Sequence, residues 1–222
     1  MGRILVRADD LGYCESFNYG LARAVKSGIV RCVGVMANME WAEHGVRLLD
    51  GCGVTFTLHA VISQGRPLTD PKRIPSLVTE TGEFKSNAVY RAAKEDFVVL
   101  EEAVMEIEAQ FLQLTQWLGE KPFMVEGHAV PSNNFFKAMA IVAAKHGVHT
   151  MQMGPGGAKI ANTRLKFSMD SGNADYDPFE SFKKAAIQEM AEDEAALMVL
   201  HPGYVDKYIY DTSYITKNRA LE

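Results

Sequence analysis

The chain has 222 residues, of which 47% are hydrophobic and 23% are charged, and its formal net charge is −5. This length fits one large α/β domain or two small ones, and the apolar fraction suffices for a sizeable core. The negative charge argues against nucleic acid or an anionic membrane as the main partner. Three cysteines with no CxxC pair are typical of a reducing cytosol, and no apolar segment is long enough to span a membrane. We therefore expect a cytoplasmic protein that binds neither nucleic acid nor membrane.

Apolar segments with the composition of strands alternate with segments of helical periodicity along the chain. The predicted strands cover residues 4–6, 29–36, 54–58, 123–125, 149–153 and 196–200. The predicted helices cover residues 16–27, 41–49, 88–118, 132–146 and 178–192. This alternation builds a parallel sheet or a barrel, and no change in composition marks a second domain. We predict one α/β domain across residues 1–222.

Three polar stretches are predicted loops. Residues 63–87 form a long connection, and long connections in compact domains are usually lids or binding loops. Residues 154–157 read Gly-Pro-Gly-Gly, without the Lys-Ser/Thr partner of a phosphate loop. Asp170, Asp175 and Asp177 lack the ligand spacing of a calcium loop. We interpret the second and third stretches as connections without chemistry of their own.

Ionisable residues follow four of the predicted strands. They are Asp9 with Asp10, His59, His128 and His201. In parallel α/β folds, catalytic groups gather at the carboxyl ends of the strands. Two adjacent carboxylates repel each other, so this pair requires a metal, a substrate cation or a raised pKa, unless it is a solvated turn that caps the next helix. One carboxylate with two imidazoles is a familiar set of ligands for a divalent cation, and the second Asp would be free to act as a base.

Short motifs throughout the chain resemble those of the YdjC-like carbohydrate deacetylases. The motifs are ADDLG at 8–12, NYG at 18–20, VMAN at 35–38, TLH at 57–59, GRPL at 65–68, EGH at 126–128 and HPGY at 201–204. Their order along the chain is that of the family. The resemblance implies a distorted TIM-type (β/α) barrel and metal-dependent removal of an N-acetyl group from an amino sugar, typically in a chitooligosaccharide.

The resemblance also implies roles for the residues at the strand ends. It assigns Asp10, His59 and His128 to the metal, Asp9 to the general base and His201 to the general acid. We favour magnesium or zinc as the divalent metal, and manganese, cobalt and nickel are also compatible with these ligands. The expected partner is a small carbohydrate substrate. A homodimer is a further expectation, because small barrels with exposed apolar helix faces often dimerise.

The sequence departs from the family pattern at two places. Residues 129–131 read Ala-Val-Pro where the family has a histidine-rich run, and Glu126 replaces the usual Asp. Relatives often run further at the C-terminus, so we expect a barrel short of its last helix or strand, or a shortened chain. Two other functions stay open. One is a metal hydrolase acting on a phosphoester or a non-sugar amide, and the other is a sugar-binding protein without catalysis.

Overall fold

The computed structural model describes residues 3–154, 157–167 and 175–222. The strands in this part of the chain are β1 (Ile4–Leu11), β2 (Cys32–Val35), β3 (Thr55–Ala60), β4 (Met124–Gly127), β5 (His149–Thr150), β6 (Gln152–Gly154), β7 (Gly157–Ile160), β8 (Thr163–Phe167) and β9 (Glu194–Leu200). The helices are α1 (Glu15–Ser27), α2 (Ala42–Leu48), α3 (Asn87–Ala92), α4 (Leu100–Leu118), α5 (Asn133–His146), α6 (Pro178–Ile187), α7 (Lys207–Thr212) and α8 (Thr216–Leu221). A short 3-10 helix covers Pro71–Arg73.

The nine strands form one sheet in the order β5-β4-β3-β2-β1-β9-β8-β7-β6. Neighbouring strands are parallel except at β7, which is antiparallel to both β6 and β8. The two outermost strands of this order, β5 and β6, are separated along the chain by Met151 alone. The sheet is therefore nearly closed, and the predicted distorted (β/α) barrel is confirmed.

The two faces of the sheet carry separate apolar cores. The outer face packs against the helices, with Phe17, Phe111 and Phe135 among its largest fully buried side chains. The second cluster contains strand residues and no helix residue, as expected for the barrel interior; it includes Met124, Leu165, Leu197 and Val199. Since side chains alternate between the faces of a strand, residues two positions further along these strands also face the interior. The interior is thus apolar at one end and polar at the carboxyl end.

The structure corrects several predicted elements. The segment 88–118 is two helices, α3 and α4, rather than one. Between them, the Asp96 carboxylate accepts hydrogen bonds from the Ser132 hydroxyl (2.8 Å) and the Asn134 N–H (2.9 Å), which ties this connection to the start of α5. The β7–β8 hairpin and the helices α7 and α8 were absent from the prediction, and α6 ends five residues early, at Ile187. Pro155, Gly156 and Asp170 lie outside the described residues.

The long connection after β3 is held by acidic and amide side chains of α4. The Glu106 carboxylate accepts hydrogen bonds from the backbone N–H groups of Leu68 (3.1 Å) and Thr69 (2.9 Å). Gln110 binds both backbone groups of Val61, and its amide also donates to Glu106 (2.8 Å). Glu106 is fully buried, and this burial raises its pKa despite the hydrogen bonds it accepts. The connection is therefore anchored to α4 at Val61, Leu68 and Thr69.

Replacing Glu106 should destabilise the fold strongly. In Glu106→Ala, two backbone N–H groups and the Gln110 amide lose their acceptor inside the protein, and buried donors without a partner are costly. We expect the free energy of unfolding to fall by about 2–4 kcal/mol. Urea titration followed by circular dichroism measures this. Glu101→Ala, at an exposed position on the same helix, is the control, and an equal effect of the two substitutions would contradict the role assigned to Glu106.

Candidate metal centre

A bulge at the end of β1 directs two adjacent carboxylates into the barrel. Arg7 and Asp9 share the inward face because they are two positions apart on the strand. The pairing of β1 with β2 then shifts register between Ala8 and Leu11, and Asp10 takes a positive φ of 69°. This left-handed conformation is unusual outside glycine, although Asp tolerates it better than most residues. The bulge gives Asp10, which would otherwise point outward, access to the interior.

Three predicted ligand residues meet at this point. The Asp10 Oδ1 atom lies 3.3 Å from His59 Nε2 and 3.2 Å from His128 Nδ1. The two imidazole nitrogens are 3.1 Å apart. Asp10 and His59 are buried, whereas the His128 side chain is 15% exposed. The structure thus brings together Asp10, His59 and His128 around one small space.

These three atoms fit a divalent cation. Metal–ligand bonds of about 2.1 Å place neighbouring ligand atoms roughly 3.0–3.4 Å apart, for right-angled to tetrahedral arrangements. The three observed separations all fall within that interval. Asp10 Oδ1 is also buried without a hydrogen-bond donor, although buried carboxylate oxygens are normally satisfied. A carboxylate and two imidazoles suit zinc and other first-row metals, and they also allow magnesium.

Glu126 lies behind His59 and fixes its orientation. Its Oε2 is 2.7 Å from His59 Nδ1, and its Oε1 accepts a hydrogen bond of 3.3 Å from the Thr57 hydroxyl. A carboxylate on one ring nitrogen holds the proton there and leaves the other nitrogen free to bind a metal. A side chain at Gly34 would collide with this arrangement, since an added Cβ would lie 2.9 Å from Glu126 Oε1. Glu126 therefore supplies a buried carboxylate partner for His59.

Asp9 forms an ion pair with Arg7 inside the barrel. Arg7 Nε lies 2.7 Å from Asp9 Oδ1, and Arg7 Nη2 donates to Asp9 Oδ2 at 2.7 Å. Arg7 Nη2 is also 3.4 Å from Glu126. Asp9 Oδ2 is also 3.9 Å from His59 Nδ1, the ring nitrogen that faces Glu126. Burial alone would raise the pKa of Asp9, but Arg7 and His59 outweigh it and the pKa is lowered.

His201 follows β9, the strand that pairs with β1 on its other side. Because Ala8 pairs with Leu200, His201 lies level with Asp9 at the barrel mouth. The His201 backbone N–H donates to the Glu222 carboxylate, and His201 Nδ1 is 3.8 Å from the same oxygen. The Tyr176 hydroxyl donates to the other oxygen of Glu222 at 2.7 Å. The His201 side chain is 16% exposed, so it faces the opening as His128 does.

The electrostatic balance favours an ionised cluster. Burial would raise the pKa of Asp10, but Arg219 and His128 hold it well below its usual value. Burial would lower the pKa of His59, but Glu126 and Asp9 raise it well above the usual histidine value. At both residues, the neighbouring opposite charges therefore act against the effect of burial.

Four residues that contact the cluster had no assigned role in the site predicted from the sequence. Arg7 and Glu126 could have been inferred, because each lies on a strand two positions before a predicted site residue. Arg219 and Glu222 could not, because they contact residues 209 and 21 positions earlier and no local pattern marks them.

The fold and the cluster define a class: a nearly closed α/β barrel with a candidate metal centre at the carboxyl ends of its strands. The chain belongs to the family of YdjC-like proteins, whose family model matches residues 3–222. A carbohydrate deacetylase of Geobacillus stearothermophilus is 46% identical over 81 residues. That alignment covers 36% of this chain and 32% of the relative, so less than two thirds of the relative's length is spanned. The predicted family is confirmed.

Two solved structures share the fold. A protein of Enterococcus faecalis, described only provisionally as a cellobiose-phosphate cleavage protein, has a TM-score of 0.81 at 16% identity, covering 100% of this chain and 88% of that one. A family 4 carbohydrate esterase of Streptomyces lividans, in complex with acetate, has a TM-score of 0.52 at 12% identity, covering 98% and 87%. At these identities the likeness concerns the fold. Among the described residues, none of the helices combines the length and apolarity needed to cross a bilayer.

The geometry predicts that His59 and His128 are needed for metal binding. In His59→Asn and His128→Asn, one of three protein ligands is lost, and we expect the affinity for Zn²⁺ or Mn²⁺ to fall by about 100-fold or more. Isothermal titration calorimetry on the metal-free protein measures this. His149→Asn, at an exposed position on β5, is the control. Wild-type affinity in either of the first two variants would contradict the assigned ligands.

Cys32 should resist alkylation at alkaline pH. Its thiol is buried beside Arg7 and Asp9, and burial raises its pKa to about 12 even though Arg7 acts in the opposite direction. An ordinary thiol is about half ionised near pH 8.5, and the thiolate is the reactive form. At pH 9 we expect iodoacetamide to modify the partly exposed Cys52 and to spare Cys32, as read by mass spectrometry of peptides. Urea-unfolded protein, where both should react, is the control, and equal rates in the folded protein would contradict this environment.

Proposed function

We propose that the protein is a metal-dependent hydrolase that removes the N-acetyl group from an amino sugar or a short oligosaccharide. The observation that carries this proposal is the convergence of Asp10 Oδ1, His59 Nε2 and His128 Nδ1 within 3.1–3.3 Å of one another. Family membership and the partial match to a carbohydrate deacetylase support the choice of substrate class. The barrel shared with a carbohydrate esterase fits the same reaction type.

Asp10, His59 and His128 would hold the divalent cation. When bound there, the cation supplies a Lewis acid that polarises a carbonyl and acidifies water. Two partly exposed histidines, His128 and His201, line the opening, so the substrate approaches over them. Asp9 and Asp10 lie deeper and are shielded from bulk water.

Asp9 would act as the general base and His201 as the general acid. Asp9 is ionised because its pKa is lowered, and it accepts a proton from the water that attacks the amide carbonyl. His201 donates a proton to the departing nitrogen as the C–N bond breaks, which releases acetate and a free amine. The ion pair with Arg7 makes Asp9 a weaker base and fixes its orientation.

Removing either proton-transfer group should slow catalysis and leave metal in place. We expect Asp9→Asn and His201→Gln to lower kcat by about 10²–10⁴-fold, the usual contribution of a positioned acid or base. The assay is acetate release from N-acetylated sugars, from monomer to short oligomers, with each divalent metal in turn and a chelator control. Metal content is measured on the same samples by mass spectrometry.

Asp193→Asn, at an exposed surface pair, is the matched control and should keep wild-type activity. Full activity in Asp9→Asn on a true substrate would overturn its role as base. If wild-type protein with bound metal releases no acetate from any sugar in the panel, the deacetylase function itself is wrong.

A further inference from the structure

A buried arginine from the last helix contacts the candidate metal ligand Asp10. Arg219, on α8, is 4% exposed. Its Nη2 donates to Asp10 Oδ2 at 2.8 Å, and its Nε donates to the Ser213 hydroxyl at 2.8 Å. The guanidinium carbon lies 4.7 Å from the ring centres of both Tyr13 and Phe17. The guanidinium is therefore held by two hydrogen bonds and two aromatic rings.

This contact separates the functions of the two Asp10 oxygens. Arg219 occupies Oδ2, whereas Oδ1 has no donor and lies between the imidazole nitrogens of His59 and His128. A free carboxylate can rotate and can bind a cation through one oxygen or both. With Oδ2 fixed by Arg219, only Oδ1 is presented to the space between the histidines.

Arg219 acts on a bound cation in two opposite ways. By orienting Asp10 it strengthens binding, since partners behind a ligand typically contribute about 10–100-fold to metal affinity. By its positive charge it weakens binding, because the guanidinium and the cation would contact the same carboxylate and like charges repel. The rings of Tyr13 and Phe17 and the Ser213 hydroxyl hold the planar guanidinium in place, as expected of a group that orients its partner.

Building on the metal-dependent function proposed above, we propose that Arg219 is a positioning residue that holds Asp10 as a one-oxygen metal ligand, so that α8 forms part of the metal centre. The backbone supports this placement, because the Gly203 N–H donates to the Arg219 carbonyl at 3.1 Å and ties α8 to the segment after His201. The same helix is followed directly by Glu222, which contacts His201.

Measurements of metal affinity distinguish whether Arg219 acts by orienting Asp10 or through its positive charge. Calorimetric titration of metal-free protein with Zn²⁺ or Mn²⁺ alone compares wild type with Arg219→Gln and Arg219→Lys. If Arg219 positions Asp10, both variants bind about 10–100-fold more weakly, because lysine keeps the charge but lacks the planar fork. If Arg219 acts through charge alone, Arg219→Gln binds more tightly and Arg219→Lys is unchanged, which would overturn the positioning role. Equal affinity in all three proteins would overturn it as well.

Arg47→Gln is the matched control. Arg47 is 76% exposed and pairs with Glu43 on the surface, so its loss should leave metal affinity within about twofold of wild type. The melting temperature of each metal-free variant, followed by circular dichroism, shows whether it is folded. A folded Arg219→Lys variant suffices for the decision if Arg219→Gln does not fold.

Hydrogen exchange on the unmodified protein tests the same coupling from the other side. Coupling between two sites is reciprocal, so a metal that fixes Asp10 must also stabilise the docking of α8. We expect Zn²⁺ to slow amide exchange in peptides covering α8. Unchanged or faster exchange would overturn the positioning role whatever the variants do.

The outcomes separate this inference from the proposed function. Metal binding that depends on Arg219, without acetate release from any sugar, would keep the positioning role and reject the deacetylase. Metal binding that does not depend on Arg219, together with acetate release, would keep the deacetylase function and reject the positioning role. Wild-type protein that binds neither metal would overturn both.

Discussion

Burial of charge at the mouth of the barrel is the constraint on which the site depends. Three carboxylates, those of Asp9, Asp10 and Glu126, are almost fully buried. Within the described part of the chain, only Arg7 and Arg219 bring permanent positive charge among them. Isolated carboxylates could not stay ionised there, because desolvation disfavours the charged form. Two arginines against three carboxylates leave one net negative charge, before the histidines are counted. The divalent cation proposed above would change this to one net positive charge while both imidazoles are neutral.

The barrel positions these charges by the simple alternation of side chains along its strands. Apolar residues such as Met124 and Val199 fill the lower interior, and the inward positions that follow them are Glu126 and His201. The bulge at Asp10 is the exception to this alternation, and it places a second carboxylate where regular pairing would allow one. Because Gly34 has no side chain, there is room beside it for the carboxylates of Asp9 and Glu126.

Much of this arrangement could be predicted from the sequence. Apolar runs ending in Asp9, Asp10, His59 and His128 indicate strands whose carboxyl ends meet, and the structure brings the last three together. The interruption near Asp96 could not be predicted, because it depends on hydrogen bonds to α5, nearly forty residues later. The contact between Arg219 and Asp10 is of the same kind. Hydrophobic periodicity reports local structure, whereas long-range ion pairs depend on the closed barrel.

The pairing of β1 with both β2 and β9 has a consequence for how the chain folds during synthesis. Residues 4–128, with all three candidate ligands, leave the ribosome well before residues 194–200. Until β9 is made, β1 is an edge strand whose backbone groups on one side have no partner, and such edges invite association with other chains. The partly made barrel also lacks Arg219, so Asp10 has no arginine partner in that interval. A nascent chain of this protein therefore exposes an unpaired edge on β1, the same strand that carries Asp9 and Asp10.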